Sequence, residues 1–276
     1  MTERGPHARL ALFGGVYANL PALEAVLEDF ASRRTDLVWC LGDLGGFGPD
    51  PEECVNLLRA RAVPTVQGNV DHSIGHGLAD CACGYTDADD QRFAQLSYDF
   101  TDARVSEASR AWLRSLPAEA RLEFAGRRVL LCHGSPRRQN EFLWESAASE
   151  PFLEWLCREH DADLLVCSHT GLHWHRALPS GRHVVNAGAI GRPAHDGRPG
   201  AWYAEIQLRD GALDVEFRHV TYDTERLAAR MDAIGLPPEF SETVRTGWWT
   251  TCFGSMPVRE RITAADTRLA AASRTG

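Results

Sequence analysis

The chain has 276 residues, enough for one large domain or two small ones with a substantial buried core. Its formal net charge of −9 argues against a broad electrostatic grip on nucleic acid. No apolar run reaches the roughly 18 residues that a membrane-spanning helix needs, and the N-terminal stretch does not read as a secretory signal. The eight cysteines are scattered, several in apolar strand-like runs. We therefore expect a protein of the reducing cytoplasm, without a membrane partner.

Apolar strands alternate with helices at the start of the chain. Residues 9–13, 37–41 and 63–66 have the pattern of short buried strands. Residues 20–30 and 51–61 lie between them, with apolar positions at helical spacing in the first and a proline in the first turn of the second. This βαβαβ order predicts a parallel sheet covered by helices.

The remainder of the chain predicts a long loop, more strands and a helical end. Residues 71–85 are rich in Gly, His and Cys and are expected to form the loop, followed by a mostly helical stretch over 93–116. The later predicted elements are a hairpin over 122–132, a helix over 150–160, strands over 164–167, 183–185, 202–208 and 213–220, and a helix over 224–234. We expect one domain over residues 1–222, with a C-terminal helical extension over 223–276 packed on it.

Four polar segments come after predicted strands and supply the residue types of a metal centre. They contain Asp43, Asn69, His133 and His169. Because ligands of open α/β sheets bind beyond the carboxyl ends of the strands, these side chains should gather at one edge. One carboxylate, one amide and two imidazoles suit a divalent transition metal such as Mn, Fe, Zn or Ni.

The order of these motifs resembles a known family. GD, GN, HGSP, a His-Thr pair and VNAGAIGRP succeed one another as in the calcineurin-like metallophosphoesterases, especially their small bacterial and archaeal phosphodiesterase branch. The segment NLPALEAVL at 19–27 is similar to the residues directly after that family's first motif. The resemblance covers about residues 9–220. It implies an α/β fold, a four-layer αββα sandwich of two mixed β-sheets flanked by helices, with a metal centre at one edge.

The sequence departs from the family pattern at the ligands of one of the family's two metals. Gly15 and Tyr17 stand where the first motif has Asp and His, and Gly171 replaces the second His of the last motif. Val70 occupies the position after Gly-Asn, which usually offers a candidate for protonating the leaving group. The resemblance therefore implies that all three unshared ligands of the first metal are missing.

The other metal site matches the family completely. Its four ligands correspond to Asp43, Asn69, His133 and His169. Random substitution would be expected to remove ligands from both metal sites and not from one alone. We therefore expect a single divalent transition metal ion held by these four residues.

The emptied half of the centre is predicted to bind the substrate. Gly15 and Gly171 should leave room for a phosphate group, with Tyr17 and His173 beside it. A second interpretation is a rebuilt metal site, in which Tyr17 binds a ferric ion as a phenolate and His173 or His175 supplies an imidazole. We favour the simpler interpretation, in which Tyr17 packs or hydrogen-bonds and both histidines lie along a strand edge.

Other residues near these motifs are assigned supporting roles. Besides Asp43, the predicted catalytic set contains Asp71, which would orient groups around the metal, and Asn19, which would support the site from the loop after the first strand. It also contains His72, the nearest replacement by sequence for the missing proton donor. Four arginines come directly after site motifs and are candidates for clamping a phosphate, although surface arginines are common and the sequence singles out none of them; they are Arg137, Arg138, Arg176 and Arg192.

The loop over 71–85 allows two interpretations. His72, His76, Cys81 and Cys83 are four donors within a short stretch, and such donors can form a structural zinc site. Cys-x-Cys is not the commonest zinc spacing, however. The other interpretation, which we favour, is a loop that covers the substrate and carries these donors incidentally.

The predicted function is that of a metal-dependent phosphoesterase. Its substrate would be a small phosphorylated molecule, a phosphodiester or a nucleotide-like compound, hydrolysed at the single-metal site. The alternative is a catalytically weak or inactive protein of the same fold that binds a phosphorylated ligand. Loss of three ligands favours the alternative, whereas complete retention of the other four favours the enzyme.

Overall fold

The computed structural model describes residues 8–261, and this part of the chain forms nine strands and eight helices. The strands are β1 Arg9–Phe13, β2 Leu37–Cys40, β3 Glu119–Phe124, β4 Arg127–Cys132, β5 Leu164–Cys167, β6 His173–Ala177, β7 His183–Ala187, β8 Ala201–Arg209 and β9 Ala212–Val220. The helices are α1 Leu20–Ser32, α2 Pro51–Ala60, α3 Asn69–His76, α4 Ala88–Asp102, α5 Glu107–Ser115, α6 Glu150–Glu159, α7 Thr224–Ala233 and α8 Pro238–Thr246.

The strands form two mixed sheets. The first has the order β2-β1-β8-β9 and the second the order β3-β4-β5-β7-β6. β1 runs parallel to β2 and antiparallel to β8, while β5 runs parallel to both β4 and β7. β2 of the first sheet and the parallel neighbours β4 and β5 of the second are each followed by a segment that carries a predicted ligand.

Alternation along β1 shows how the layers are built. Leu10 and Leu12 face the second sheet and belong to the core between the sheets. Ala11 and Phe13 point the other way, into a core that includes Leu23 of α1, because successive side chains of a strand face opposite sides. On the far face of the second sheet, residues of β4 and β5 pack against α6. The predicted four-layer αββα sandwich is confirmed.

Several local predictions differ from the structure. The strand expected at 63–66 is reduced to one parallel bridge between Cys40 and Thr65, and Pro64 within it has no N–H to extend the ladder. The loop expected at 71–85 starts inside α3, whose first turn is held by Asp71 accepting from the Gly68 N–H at 2.8 Å. The mostly helical stretch expected at 93–116 consists of the two helices α4 and α5, and β6 is the strand that the favoured interpretation of His173 and His175 requires.

The last two helices pack on the body of the fold. Leu227, Met231 and Phe240 of α7 and α8 form one apolar cluster with Phe47 and Phe93. This cluster places the C-terminal segment beside the loop that comes after β2. The division of the chain at residue 222 stays a prediction, and its part beyond residue 261 lies outside the described residues.

Among residues 8–261, no helix combines the length and the apolar character that crossing a membrane requires. The cytoplasmic location stays a prediction.

Truncating a side chain between the sheets should destabilise the protein. Leu131 is fully buried there, so Leu131→Ala removes packing contacts and leaves a cavity. We expect its free energy of unfolding to fall by about 2–5 kcal/mol. The control Leu96→Ala on α4, where Leu96 is 44% exposed, should cost at most about 1 kcal/mol. Urea unfolding monitored by circular dichroism measures both, and equal losses would contradict the layer assignment.

Candidate metal centre

Asp43 lies directly after β2 in an uncommon backbone conformation. Its φ is 57°, in the left-handed region that non-glycine residues adopt rarely and mostly at functional sites. The Asp43 N–H donates to Asp71 Oδ2 at 2.8 Å, and the Leu44 N–H donates to Asp71 Oδ1 at 2.9 Å. The buried Asp71 carboxylate therefore holds the Asp43 backbone in this conformation.

The Asp43 carboxylate lies between two other loops of the same edge. Oδ1 accepts from the Val70 N–H at 3.0 Å, and Oδ2 lies 3.1 Å from His133 Nε2. A Cβ on Gly68 would stand 2.2 Å from Oδ1, so this approach requires glycine. The carboxylate is thereby fixed next to Asn69, the residue between Gly68 and Val70.

The orientation of the His133 ring is set by a backbone carbonyl. Nδ1 lies 2.6 Å from the Leu41 oxygen. A carbonyl oxygen only accepts, so Nδ1 carries a proton and donates. The opposite atom, Nε2, lies 3.1 Å from Asp43 Oδ2 and 3.1 Å from His169 Nδ1. Metal-bound imidazoles are commonly held in this way, with one nitrogen on a carbonyl and the other turned to the ion.

Three of the four predicted ligands are thus brought together. Donor atoms of Asp43, His133 and His169 all lie within 4.8 Å of one another, and all three residues are buried. Among the described residues, no other group of three or more His, Cys, Asp or Glu side chains has this arrangement.

Asn69, which directly precedes the Val70 N–H that binds Asp43, has a side-chain oxygen without a hydrogen-bond partner among the described residues. Its Nδ2 donates to the Cys81 carbonyl at 2.8 Å, whereas Oδ1 is buried without a hydrogen-bond partner among residues 8–261. A buried carbonyl oxygen without a partner is costly, and a cation would satisfy it. The donor set therefore fits a divalent transition metal.

When no cation is bound, a proton on His133 balances the negative charge of Asp43. Burial raises the pKa of Asp43, but the neighbouring His133 offsets this and the net pKa lies below its ordinary value. Burial lowers the pKa of His133, but the Asp43 carboxylate and the Leu41 carbonyl raise it above the ordinary value. Burial and His133 lower the pKa of His169 to about 3, so this ring is neutral.

Sequence comparison places the chain in a family. The family model of the calcineurin-like phosphoesterase superfamily domain matches residues 9–209. The chain belongs to the calcineurin-like phosphoesterases.

The chain is also similar to two solved structures and to one curated protein. A metallophosphoesterase from Sphaerobacter thermophilus shares 28% identity with a TM-score of 0.66, over 87% of this chain and 99% of that one. The hypothetical protein PH1004 from Pyrococcus horikoshii shares the fold with a TM-score of 0.74 at 21% identity, over 88% of this chain and 100% of that one. The uncharacterized protein MJ0912 of Methanocaldococcus jannaschii is 24% identical, over 86% of this chain and 98% of its own length.

Aromatic side chains lie against the positions at which the sequence departs from the family pattern. A Cβ on Gly171 would lie 3.1 Å from the Trp249 ring, and a Cβ on Gly15 would lie 2.9 Å from the Tyr17 ring. The Trp249 indole N–H donates to the Pro193 carbonyl at 2.6 Å, which fixes that ring. The prediction that Gly15 and Gly171 open space for a phosphate is therefore wrong. They are the positions at which aromatic rings approach the backbone.

The rebuilt metal site does not form among the described residues. His173 stacks between Trp202 at 4.7 Å and Phe217 at 4.5 Å, and it lines a different cavity. His175 Nε2 lies 2.9 Å from His183 Nδ1, on the neighbouring strand. The assignment of His173 to substrate binding at this centre is therefore wrong. Both histidines lie along β6. Packing against Trp202 and Phe217 of the other sheet holds His173 away from the candidate metal centre.

Tyr17 lies in the pocket that opens beside Asp43 and His169. Burial and the Asp43 charge raise its pKa well above the ordinary value, so the phenol keeps its proton. Tyr17 therefore presents an O–H group to the pocket and not a phenolate.

The zinc interpretation of the Cys/His loop is also wrong. Cys81 and Cys83 form a disulfide with each other. His72 Nδ1 lies 3.2 Å from Gln67 Oε1, and His76 Nδ1 lies 2.9 Å from the His72 carbonyl oxygen. The remaining six cysteines are free and buried.

The loop instead covers the centre. Cys81 and Cys83 line the pocket, and Asn69 Nδ2 lies 3.4 Å from Cys83 Sγ. His72 is not among the residues that line the pocket, so its predicted role as proton donor has no support from this geometry.

Asn19 holds two loops together from outside the pocket. Its Oδ1 accepts from the Ala22 N–H at 3.1 Å and caps α1. Its Nδ2 donates to the Gly191 carbonyl at 3.0 Å and to the Tyr222 hydroxyl at 2.9 Å. Asn19 therefore positions the first loop, and Asp71 likewise positions Asp43.

The pocket includes residues that the sequence did not assign to the site. It has a volume of about 70 Å³, and most of its exposed lining is apolar. Its unassigned walls come from the loop after β2, from α4 and from the C-terminal segment, and they include Phe47, Phe93, Phe240, Thr251 and Cys252. No local motif marks these residues, because they reach the pocket only through packing. Of the four predicted phosphate-clamping arginines, Arg192 lines the pocket.

We expect the protein to bind one divalent transition metal ion per chain. His169→Ala removes one donor, so its affinity for Mn²⁺ should fall by about 100-fold or more, beyond the loss usually caused by changing a residue that only supports a ligand. His219→Ala changes an exposed histidine of β9 and should bind Mn²⁺ as the unchanged protein does. Titration calorimetry and elemental analysis after dialysis measure affinity and stoichiometry. Two ions per chain in the unchanged protein would contradict a single site.

Metal binding should release a proton near neutral pH. The raised pKa of His133 means that this ring is protonated in the metal-free protein up to a pH above its ordinary value of 6.5, and the ion must displace that proton. Affinity should therefore rise with pH as long as His133 is protonated in the metal-free protein, and level off once the ring is neutral without the ion. Calorimetry in buffers of different ionisation enthalpy counts the protons. An affinity that does not change with pH would exclude His133 as the displaced group.

Proposed function

We propose that this calcineurin-like phosphoesterase hydrolyses phosphoric esters at a centre with one divalent metal. Phosphodiesters and nucleotide-like small molecules are the proposed substrate class. The observation that carries the proposal is the buried gathering of Asp43, His133 and His169 within 4.8 Å beside an open pocket. The ion pair between Asp43 and His133 does not explain why His169 is buried beside them. Such a group of buried donors next to a pocket indicates a functional centre.

The proposed ligands are Asp43, Asn69, His133 and His169. A divalent ion held there would polarise a phosphoryl oxygen and lower the pKa of a bound water. The protein's own contribution is positional: Leu41 orients the His133 ring, and the Asp71 carboxylate fixes the Asp43 backbone. Such fixed groups need no reorganisation when charge develops in the transition state.

The pocket supplies further groups that would act on a phosphate ester. The protonated Tyr17 hydroxyl is a hydrogen-bond donor toward an anion. Phe47, Phe93 and Phe240 provide apolar walls, which strengthen electrostatic interactions by excluding water.

The same site also supports the second candidate, a protein that binds a phosphorylated ligand without efficient turnover. Tyr17 and Trp249 pack against the positions where the family has ligands for its other metal. A one-metal centre lacks the two-ion clamp on the attacking and leaving oxygens. We therefore expect slow turnover, and a kinetic test separates the two candidates.

Bis-para-nitrophenyl phosphate should be hydrolysed when Mn, Ni, Co, Zn or Fe is supplied in turn. Asp43→Asn and His169→Ala should each lower kcat/KM by about 100-fold or more, because each removes a group that holds the ion. Release of para-nitrophenolate is the measurement, and His219→Ala is the control that should leave it unchanged. Absence of turnover with every metal, together with tight binding of one metal, would contradict the proposed enzyme activity and support the candidate that only binds a phosphorylated ligand.

A further inference from the structure

Arg192 is a buried cation without an acidic partner among the described residues. The residue is 6% exposed. Its Nη2 donates to the carbonyl oxygen and the hydroxyl of Thr251, at 2.9 and 3.0 Å. Nε is buried without a hydrogen-bond partner, and no carboxylate within residues 8–261 forms an ion pair with this guanidinium. A buried charge is costly unless an opposite charge compensates it.

Other partly buried arginines of this protein form ion pairs with carboxylates. Arg33 pairs with Glu205 at 2.8 Å, and Arg110 pairs with Asp102 at 2.7 Å. Both side chains are more exposed than Arg192, at 25% and 18%, and yet both have a carboxylate. The lack of one at Arg192 within the described part of the chain therefore indicates that its counter-charge comes from outside the fold.

The C-terminal segment holds Arg192 in place. The guanidinium carbon lies 3.8 Å from the centre of the Trp249 ring and 5.3 Å from that of Phe47. Stacking on an aromatic face stabilises a cation without neutralising it. Trp249 in turn packs against Gly171, the position where the family has a metal-binding histidine. The residue change at 171 and the placement of Arg192 are therefore parts of one packing arrangement.

The guanidinium borders the same pocket as the candidate metal centre. Arg192, Tyr17, Asp43 and His169 all line it. Asp43 is the acidic residue of this lining, and its charge is matched by His133 or by a bound cation. The positive charge of Arg192 thus remains available to an anion inside the pocket.

We propose that Arg192 binds a phosphoryl oxygen of the ligand, and so supplies part of the positive charge that a second metal provides in a two-metal centre. This rests on the proposed function and names the group that holds its substrate. A guanidinium presents a planar fork of N–H donors that matches phosphate. The pocket, at about 70 Å³, has the scale of a phosphoryl group, so the rest of an ester extends toward the opening.

The test measures inorganic phosphate binding to the metal-loaded full chain by calorimetry. Arg192→Gln should weaken phosphate binding by about tenfold or more, the effect expected for a hydrogen bond to a charged group. Arg192→Lys keeps the positive charge but lacks the planar set of N–H donors, so it should bind phosphate with intermediate affinity. Arg198→Gln is the matched control, because Arg198 also stacks on a tryptophan, Trp202 at 4.5 Å, but pairs with Asp196. It should bind phosphate as the unchanged protein does.

A spectroscopic readout keeps the proposal testable if Arg192→Gln does not fold. The arginine Nε–H signal that disappears from the NMR spectrum in Arg192→Lys is assigned to Arg192. In the unchanged protein this signal should shift on phosphate addition and saturate with the calorimetric Kd. Unchanged phosphate affinity in Arg192→Gln, or no shift of the Nε–H signal at saturation, would overturn the proposal.

Failure of this inference and failure of the proposed function give different results. If Arg192→Gln weakens phosphate binding but no ester is hydrolysed with any metal, Arg192 binds the ligand of a protein that is not an enzyme. If Arg192→Gln hydrolyses bis-para-nitrophenyl phosphate with the same KM and binds phosphate as the unchanged protein does, the proposed function is supported and the proposed role of Arg192 is contradicted.

Discussion

Three backbone N–H groups meet on the Asp71 carboxylate, and the geometry of the centre depends on this contact. The N–H groups of Asp43 and Gly68 donate to Oδ2 at 2.8 Å each, and that of Leu44 donates to Oδ1 at 2.9 Å. Hydrogen bonds to a charged group contribute about 1.5–3 kcal/mol each. One side chain therefore joins the loop that carries Asp43 to the start of the helix that carries Asn69, two segments that the sheet alone does not connect.

The same contact explains why a second buried carboxylate is tolerated here. Burial and the neighbouring Asp43 raise the pKa of Asp71 to about 6, so its ionised form is disfavoured but still predominates at neutral pH. The three N–H groups and the positive charge of the nearby His133 offset this penalty within the protein. A cation on the other side of Asp43 would reduce the repulsion between the two carboxylates further. The metal site and its supporting carboxylate are in this sense electrostatically interdependent.

How far the sequence predicts this site depends on how local the determining interactions are. His133 and His169 closely follow β4 and β5, which are parallel neighbours, so strand order alone predicts that the two imidazoles lie together. Asp43 follows β2 of the other sheet, and its approach to them depends on how the two sheets pack. His173 was misplaced, because the direction of a side chain on β6 is decided by packing against Trp202 on another strand.

The aromatic and cationic parts of the pocket depend on contacts between distant segments. Trp249 meets Gly171 and Arg192 only after the chain has crossed both sheets and formed α7 and α8. Local pattern contains no information on such a contact. The same holds for the disulfide in the loop, since the spacing of Cys81 and Cys83 is compatible with free thiols, a metal or a bond.

The packing around Gly15 and Gly171 links the proposed one-metal centre to the rest of the pocket. A Cβ at Gly171 would meet two atoms of the Trp249 ring at 3.1 and 3.2 Å, on a backbone with φ 73° that disfavours any larger residue. A Cβ at Gly15 would meet the Ala189 Cβ at 2.7 Å, on a backbone with φ 50°. A histidine at position 171 would therefore have to displace Trp249, on which the guanidinium of Arg192 stacks, whereas a side chain at position 15 would press on Ala189 and Tyr17. Trp249 thus contacts both the backbone position that lacks the family's histidine and the guanidinium to which we assign phosphate binding, so the two features are connected through one side chain.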